Sequence, residues 1–263
     1  MYNFSMLLDD DIYKSIEDKI KVFNKFLINN IEINDFIENK NITELNNEEI
    51  EKIRNLLINY NKKIVLLNCN DDISKYNNYD NYEYYKTLFK NAYMLGIENI
   101  KAGFNLDISS DSGSECNEAK KCLELILKLG NNYGIGVLIE NKSYIACTQE
   151  YEIAKICNIW GIDKNNIELI FNPLEYVKLK KHPFFHVFYN SKLKNNVLFL
   201  RVTDGLYKDG SSALPGQGNG ELKEMASALL ARGFKGYFSF TNYYKDVDIG
   251  DVIKTFKSIL MDI

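Results

Sequence analysis

The chain has 263 residues, 46% of them hydrophobic, which is enough to bury a large core. Three prolines and 15 glycines form no Ser/Gly/Pro-rich tract, so one domain over residues 1–263 is expected rather than two independently folded halves. A net charge of −4, with lysines scattered among carboxylates, leaves no basic face for a phosphate backbone and argues against a nucleic-acid partner.

The opening stretch MYNFSMLLDDD has no basic segment before its short apolar run, and no run approaches the roughly 18 apolar residues of a membrane span. A cytoplasmic protein with no membrane partner is expected. Cys69, Cys116, Cys122, Cys147 and Cys157 form no CxxC pair, so they read as reduced, mostly buried thiols.

Short apolar runs alternate with amphipathic stretches along the whole chain. YNFSM (2–6) precedes a helix from about Asp11 to Ile28, whose Ile12, Ile16, Ile20, Phe23 and Leu27 recur at helical spacing. IEIND (31–35) leads to a helix over 47–60, KIVLLN (63–68) to one over 80–95, and NIKAGF (99–104) to one over 116–130. IGVLIE (135–140) leads to a helix that Thr148 can cap, running to about Ile159. IELIFN (167–172) leads to a helical segment that Pro173 can open. VLFLRV (197–202) leads through a Gly-rich loop to a helix over 220–232, and GYFSFT (236–241) to a last helix over 247–261.

Strict alternation implies parallel strands joined by crossover helices, and eight units close a (β/α)8 barrel. An open doubly wound sheet is the alternative, but no GxGxxG follows the first strand. The expected fold is therefore a single α/β barrel.

In such barrels the active site lies at the C-terminal ends of the strands. Period-two alternation puts Glu140 on one face with Leu138, Asn172 with Ile170, Arg201 with Phe199, and Thr241 with Ser239 and Tyr237. Four consecutive strands thus end in polar groups aimed into one mouth. Ser5, Asn34, Asn68, Lys101 and Asn105 are further polar strand ends that could line it. Lys101 is the sharpest of them, since a lysine in a parallel strand rarely faces the apolar helix layer.

Arg201 stands out, because arginine occurs only three times and the other two lie on lysine-rich helical stretches. A guanidinium at that place can neutralise a buried carboxylate, with Glu140 or Asp204 as the expected partner, or clamp a ligand phosphate or carboxylate. The loop 204–221 is Gly-rich and could cradle a phosphate, although Glu221 in the first helical turn would oppose an anion. His182 and His186, in HPFFH, have the i, i+4 spacing of two ligands; Pro183 between them marks an element boundary, and an incidental pair is expected.

The segments GVLIENK, IFNPLE, LFLRVTDG with LPGQGNGEL, and ARGFKGYFSFTN resemble the xylose-isomerase-like family of barrels. That family holds sugar and sugar-phosphate isomerases and epimerases and the family-two endonucleases acting at abasic sites. The resemblance implies a divalent-metal site of Glu, Asp, His and Glu at the four strand ends, and proton transfer beside a carbonyl that the metal polarises. Only Glu140 matches that set. Asn172 stands where the family has Asp, Glu175 where it has the following His, Arg201 where it has the metal-binding His, and Thr241 where it has the last Glu; Asp204 of the His-x-x-Asp element is retained.

A neutral amide and a hydroxyl are poor ligands for a hard ion, and a guanidinium repels one. No metal cofactor is therefore expected. The multi-zinc endonuclease branch needs several histidines, and the chain has two. A carbohydrate or sugar phosphate is the expected partner. Glu140, Arg201 and Asp204 are the expected catalytic residues, and Asn68, Lys101, Asn172, Glu175 and Thr241 the expected ligand-binding ones. The alternative is a non-catalytic relative that binds a sugar-type ligand or a protein partner in the mouth.

Overall fold

The computed structural model describes residues 2–8, 12, 15–72, 78–103, 113–143, 153, 157–158, 161, 163, 167–191, 194–242 and 247–263. Eight parallel strands close into a barrel. In chain order they are β1 (Asn3–Leu7), β2 (Asn30–Asn34), β3 (Lys63–Asp72), β4 (Asn99–Gly103), β5 (Gly136–Glu140), β6 (Glu168–Phe171), β7 (Val197–Arg201) and β8 (Tyr237–Thr241). β8 closes the ring on β1, with Ser239 opposite Ser5 and Phe238 opposite Phe4.

The helices form where the sequence places apolar residues three or four apart and supplies a cap. Asn46 opens the helix Asn47–Asn59 through a capping box with Glu49. Asp248 caps the last helix, Ile249–Met261, which buries Val252, Ile253, Phe256 and Leu260. The first helix is shorter than its apolar spacing predicts. The Ser15 side chain accepts from the Asp18 backbone, so the helix runs Ile16–Lys25, and Leu27 falls beyond it at a positive φ of 56°. The helix expected from Thr148 lies almost wholly outside the described residues, as do Asn105 and Cys147. Cys69, Cys122 and Cys157 are buried and are not in disulfides. No helix among the described residues is long and apolar enough to cross a membrane.

Strand alternation divides the apolar side chains between two clusters. The outer one packs strands against helices; on β8 it takes Phe238 and Phe240, both in ring contact with Phe256. The inner one holds Val65, Leu66, Leu138, Ile170 and Phe199, with Leu198 and Tyr237 packed against it. A bulge helps to set this register: Ile31 lies opposite Ile64 but Glu32 opposite Leu66, so one extra residue, Val65, sits in β3. Glu32 and Asn34 therefore share a level with Leu66 and Asn68. The inner cluster floors the barrel, and the polar strand ends stand above it.

Phe199 anchors that floor, fully buried and stacked on Tyr237 with ring centroids 4.8 Å apart. Phe199→Ala should cost about 3–5 kcal/mol of stability, the usual toll for emptying an aromatic site in a core. Urea denaturation measures it, and a loss under about 1 kcal/mol would mean that the barrel interior is not close-packed.

Candidate functional site

Arg201 closes β7 with its side chain inside the barrel and only 2% of its surface exposed. Its Nη1 donates to Glu32 Oε2 and to Ser239 Oγ, each at 2.5 Å. Nη2 donates to Asn68 Oδ1 at 3.0 Å, and Nε to Glu140 Oε1 at 3.4 Å. Four of the five guanidinium N–H groups thus go to the chain's own side chains. The Glu32 Oε1 oxygen accepts from Ser5 Oγ at 2.7 Å and from Ser239 Oγ at 2.5 Å. Ser239 therefore passes a hydrogen bond from guanidinium to carboxylate.

Glu140 is the second carboxylate of the cluster. Asn172 Nδ2 donates to its Oε1 at 3.0 Å, Lys142 Nζ lies 3.6 Å from the same oxygen, and Lys101 Nζ lies 3.5 Å from Oε2. Burial works to raise the Glu140 pKa, but Arg201, Lys142, Lys101 and the Asn172 amide outweigh it and hold the carboxyl well below its ordinary 4.5. Burial likewise works against charge on Arg201, and the Glu32 and Glu140 carboxylates reverse this, keeping the guanidinium charged. Lys101 is pushed down by burial, with Lys142 and Arg201 adding to the shift and Glu140 opposing it.

The neighbouring loops are clipped together by amides and a carboxylate. Asn141 and Asn172 join β5 to β6 through two bonds: Asn141 Nδ2 to the Asn172 carbonyl at 2.9 Å, and the Asn172 N–H to Asn141 Oδ1 at 2.7 Å. Thr203 Oγ1 donates to Asn172 Oδ1 at 2.7 Å, so the amide oxygen is turned toward β7. Glu175 does not join the Arg201 cluster. It accepts from the Ser143 N–H and hydroxyl, both at 2.8 Å, and from Lys178 Nζ at 2.6 Å. Burial would raise its pKa, but these donors lower it. Thr241 ends β8 beside Leu7 of β1 and is largely buried.

Asp204 departs from its expected place. Its carboxylate does not pair with Arg201 but fills a nest of backbone N–H groups in the Gly-rich loop. Oδ1 accepts from Gly205 at 2.8 Å and Gly220 at 2.6 Å; Oδ2 accepts from Gly216 at 2.8 Å and Gly218 at 3.2 Å. Backbone donors in such a turn attract an anion, and here the anion is built in. The phosphate cradle suggested by the glycines is thus occupied by the chain itself. Glycine is required at position 218, where a Cβ would stand 2.4 Å from both Asp204 Oδ1 and the Gly205 carbonyl oxygen. Burial raises the Asp204 pKa despite the four donors.

No protein-family model and no curated protein matches the sequence. Solved structures do. A D-tagatose 3-epimerase-like protein superposes with a TM-score of 0.72 at 18% identity, over 98% of this chain and 96% of its own. The fold of this chain is the xylose-isomerase-like barrel. A xylose isomerase domain protein from Planctomyces limnophilus matches with a TM-score of 0.73 at 12% identity, over 100% and 98% of the two chains. The 3-keto-D-glucoside 4-epimerase YcjR from E. coli matches with a TM-score of 0.70 at 9% identity, over 98% and 99%.

Within this xylose-isomerase-like barrel, Asn68, Lys101, Glu140, Asn172 and Arg201 come together in one cluster, whereas Asp204 and Glu175 serve neighbouring loops. The residue that sequence reasoning passed over is Glu32, fully buried and the closer of the two carboxylates to Arg201. A signal was present. IEIN alternates, so the face opposite Ile31 and Ile33 carries Glu32 as well as Asn34.

The depressed Glu140 carboxyl links the cluster to pH. Its unfolded pKa is near 4.5 and its folded pKa lies lower, so the unfolded chain takes up the proton first as pH falls. The stability Glu140 contributes is whole above about pH 4.5 and is lost as pH drops toward the folded pKa. Glu140→Gln should cost about 3 kcal/mol at pH 7, the low end for one partner of a buried pair, because Arg201 keeps Glu32. The gap between wild type and variant in denaturant melts should narrow below pH 4.5. A gap independent of pH would contradict the ion pair.

Proposed function

We propose that the chain is a sugar-isomerase- or epimerase-like barrel that binds a carbohydrate or sugar phosphate at its mouth without a divalent metal. The observation that carries this reading is the guanidinium of Arg201, set between two buried carboxylates at a strand end that the family resemblance assigns to a metal-binding histidine. The groups at the four ligand positions do not fit a hard divalent ion. Asn172 turns its N–H toward Glu140 and its oxygen toward Thr203, Arg201 is a fixed cation, and Thr241 offers a hydroxyl. The sugar assignment rests on the fold and on the epimerase names of two similar structures.

Glu140 is a weak candidate for the base, since a carboxylate held far below 4.5 has little tendency to take a proton near neutrality. A role in ligand binding therefore fits better than metal-assisted proton transfer. A second reading, an altered metal-independent isomerase or epimerase, is favoured by Lys101. Its buried amine, lowered in pKa, faces Glu140 across 3.5 Å and could exchange a proton with a ligand hydroxyl or with the carbon next to a ligand carbonyl.

A thermal-shift screen tests both. Sugar phosphates or free sugars should raise the Tm, by an amount equivalent to about 2.7 kcal/mol at 100 times Kd. Mg2+ and Mn2+ should not. Stabilisation by either ion that disappears in Glu140→Gln would overturn the metal-free reading, and no response to any carbohydrate would overturn the ligand assignment. Turnover of a responding sugar, abolished in Lys101→Met, would establish the second reading over the first.

A further inference from the structure

The chain has two histidines, and the fold brings both to one place. His182 immediately precedes the π-helical turn Pro183–Phe188, and His186 lies within it. Their rings stand 4.8 Å apart, centroid to centroid, at an interplanar angle of 75°. Two imidazoles bound to one tetrahedral ion through metal–nitrogen bonds of about 2.0–2.1 Å have centroids about 5 Å apart. The observed spacing leaves the two rings close enough to share an ion.

Glu221 faces the Nδ1 side of His182. Its Oε1 lies 2.6 Å from His182 Nδ1, while Oε2 accepts from the Phe184 N–H at 2.6 Å and the Phe185 N–H at 3.3 Å. A carboxylate oxygen in that position can accept from Nδ1–H, the arrangement in which Nε2 carries the lone pair. This is the outer-shell arrangement that orients metal-bound histidines. Glu221 achieves it from a left-handed backbone conformation, φ 52°, just before the helix Leu222–Ala231. The His182 side chain remains 46% exposed.

Tyr207 packs against the same imidazole. Its ring meets that of His182 edge-on at 5.3 Å, and its hydroxyl is buried with no hydrogen-bond partner among the described residues. A buried hydroxyl without a partner calls for a water or an ion.

We propose that His182 and His186 form a binding site for a borderline divalent transition ion, Zn2+, Ni2+ or Cu2+, with Glu221 as the outer-shell carboxylate. The site lies outside the Arg201 cluster and stands or falls independently of the carbohydrate reading. It would tie the loop after β6 to the loop after β7. Among the described residues no group of three or more His, Cys, Asp or Glu side chains could hold a metal ion, so two imidazoles are the protein ligands and water completes the sphere. Imidazole donors select these ions over Mg2+ and Ca2+, and an open site binds more weakly than a closed four-ligand one.

Isothermal titration of the full-length protein, stripped of metal, with Zn2+ and Ni2+ tests the site. One equivalent should bind to wild type, with no heat from Mg2+. His186→Ala should abolish binding while leaving the Tm of the metal-free protein unchanged, and Glu221→Gln should weaken it by about 10–100-fold. Absence of saturable Zn2+ or Ni2+ binding to wild type would overturn the proposal, as would equal binding by His186→Ala.

Discussion

Arg201 places a permanent positive charge inside a barrel, 2% exposed, and the polar groups in contact with it answer to that charge. An isolated buried ion costs several kcal/mol in lost hydration, so the guanidinium persists only where carboxylates and hydrogen-bond acceptors surround it. Glu32 and Glu140 supply the charge, and Ser239 and Asn68 supply acceptors. Ser5 and Asn172 then hold the carboxylates in place. These groups come from β1, β2, β3, β5, β7, β8 and the end of β6, so one cation coordinates most of the ring. The role resembles that of a central metal ion, with five directional N–H groups in place of open coordination sites.

That arrangement shapes the chemistry available. A divalent ion can exchange water for a substrate oxygen and polarise it. A guanidinium whose donors are already engaged by its own chain cannot offer the same vacancy. The remaining polar groups near the mouth, Lys101 and Lys142, are cationic and suited to an anionic or hydroxyl-rich ligand. The loop after β7 tells a parallel story. Its four glycine N–H groups enclose Asp204, and its last residue, Glu221, reaches His182. Both carboxylates hold the chain's own donors rather than leaving the loop open to a phosphate.

The barrel was legible in the sequence because its determinants are local. Apolar runs of four to six residues alternate with segments of helical period, and caps such as Asn46 and Asp248 mark the helix starts. The inward set on the later strands also followed from period two, since Glu140, Arg201 and Ser239 share faces with Leu138, Phe199 and Tyr237. Partner choice was less legible. Arg201 and Glu32 lie 169 residues apart, and their meeting depends on barrel closure and on the bulge at Val65, neither of which alternation encodes. Asp204 was misplaced for a related reason. A carboxylate three residues beyond Arg201 looks like its partner on paper, but the chain turns after β7, and the glycine N–H groups that follow offer closer donors.

The most direct measure of the central claim is a double-mutant cycle between Arg201→Met and Glu32→Gln, read by chemical denaturation at pH 7. Each single substitution strands a buried partner and should cost about 3–5 kcal/mol. The double variant should be less destabilised than the sum of the two by at least about 2 kcal/mol, because it leaves neither Arg201 nor Glu32 unpaired against the other. Additivity of the two losses within about 0.5 kcal/mol would contradict the account, since it would mean that the guanidinium and Glu32 are not partners in the folded protein.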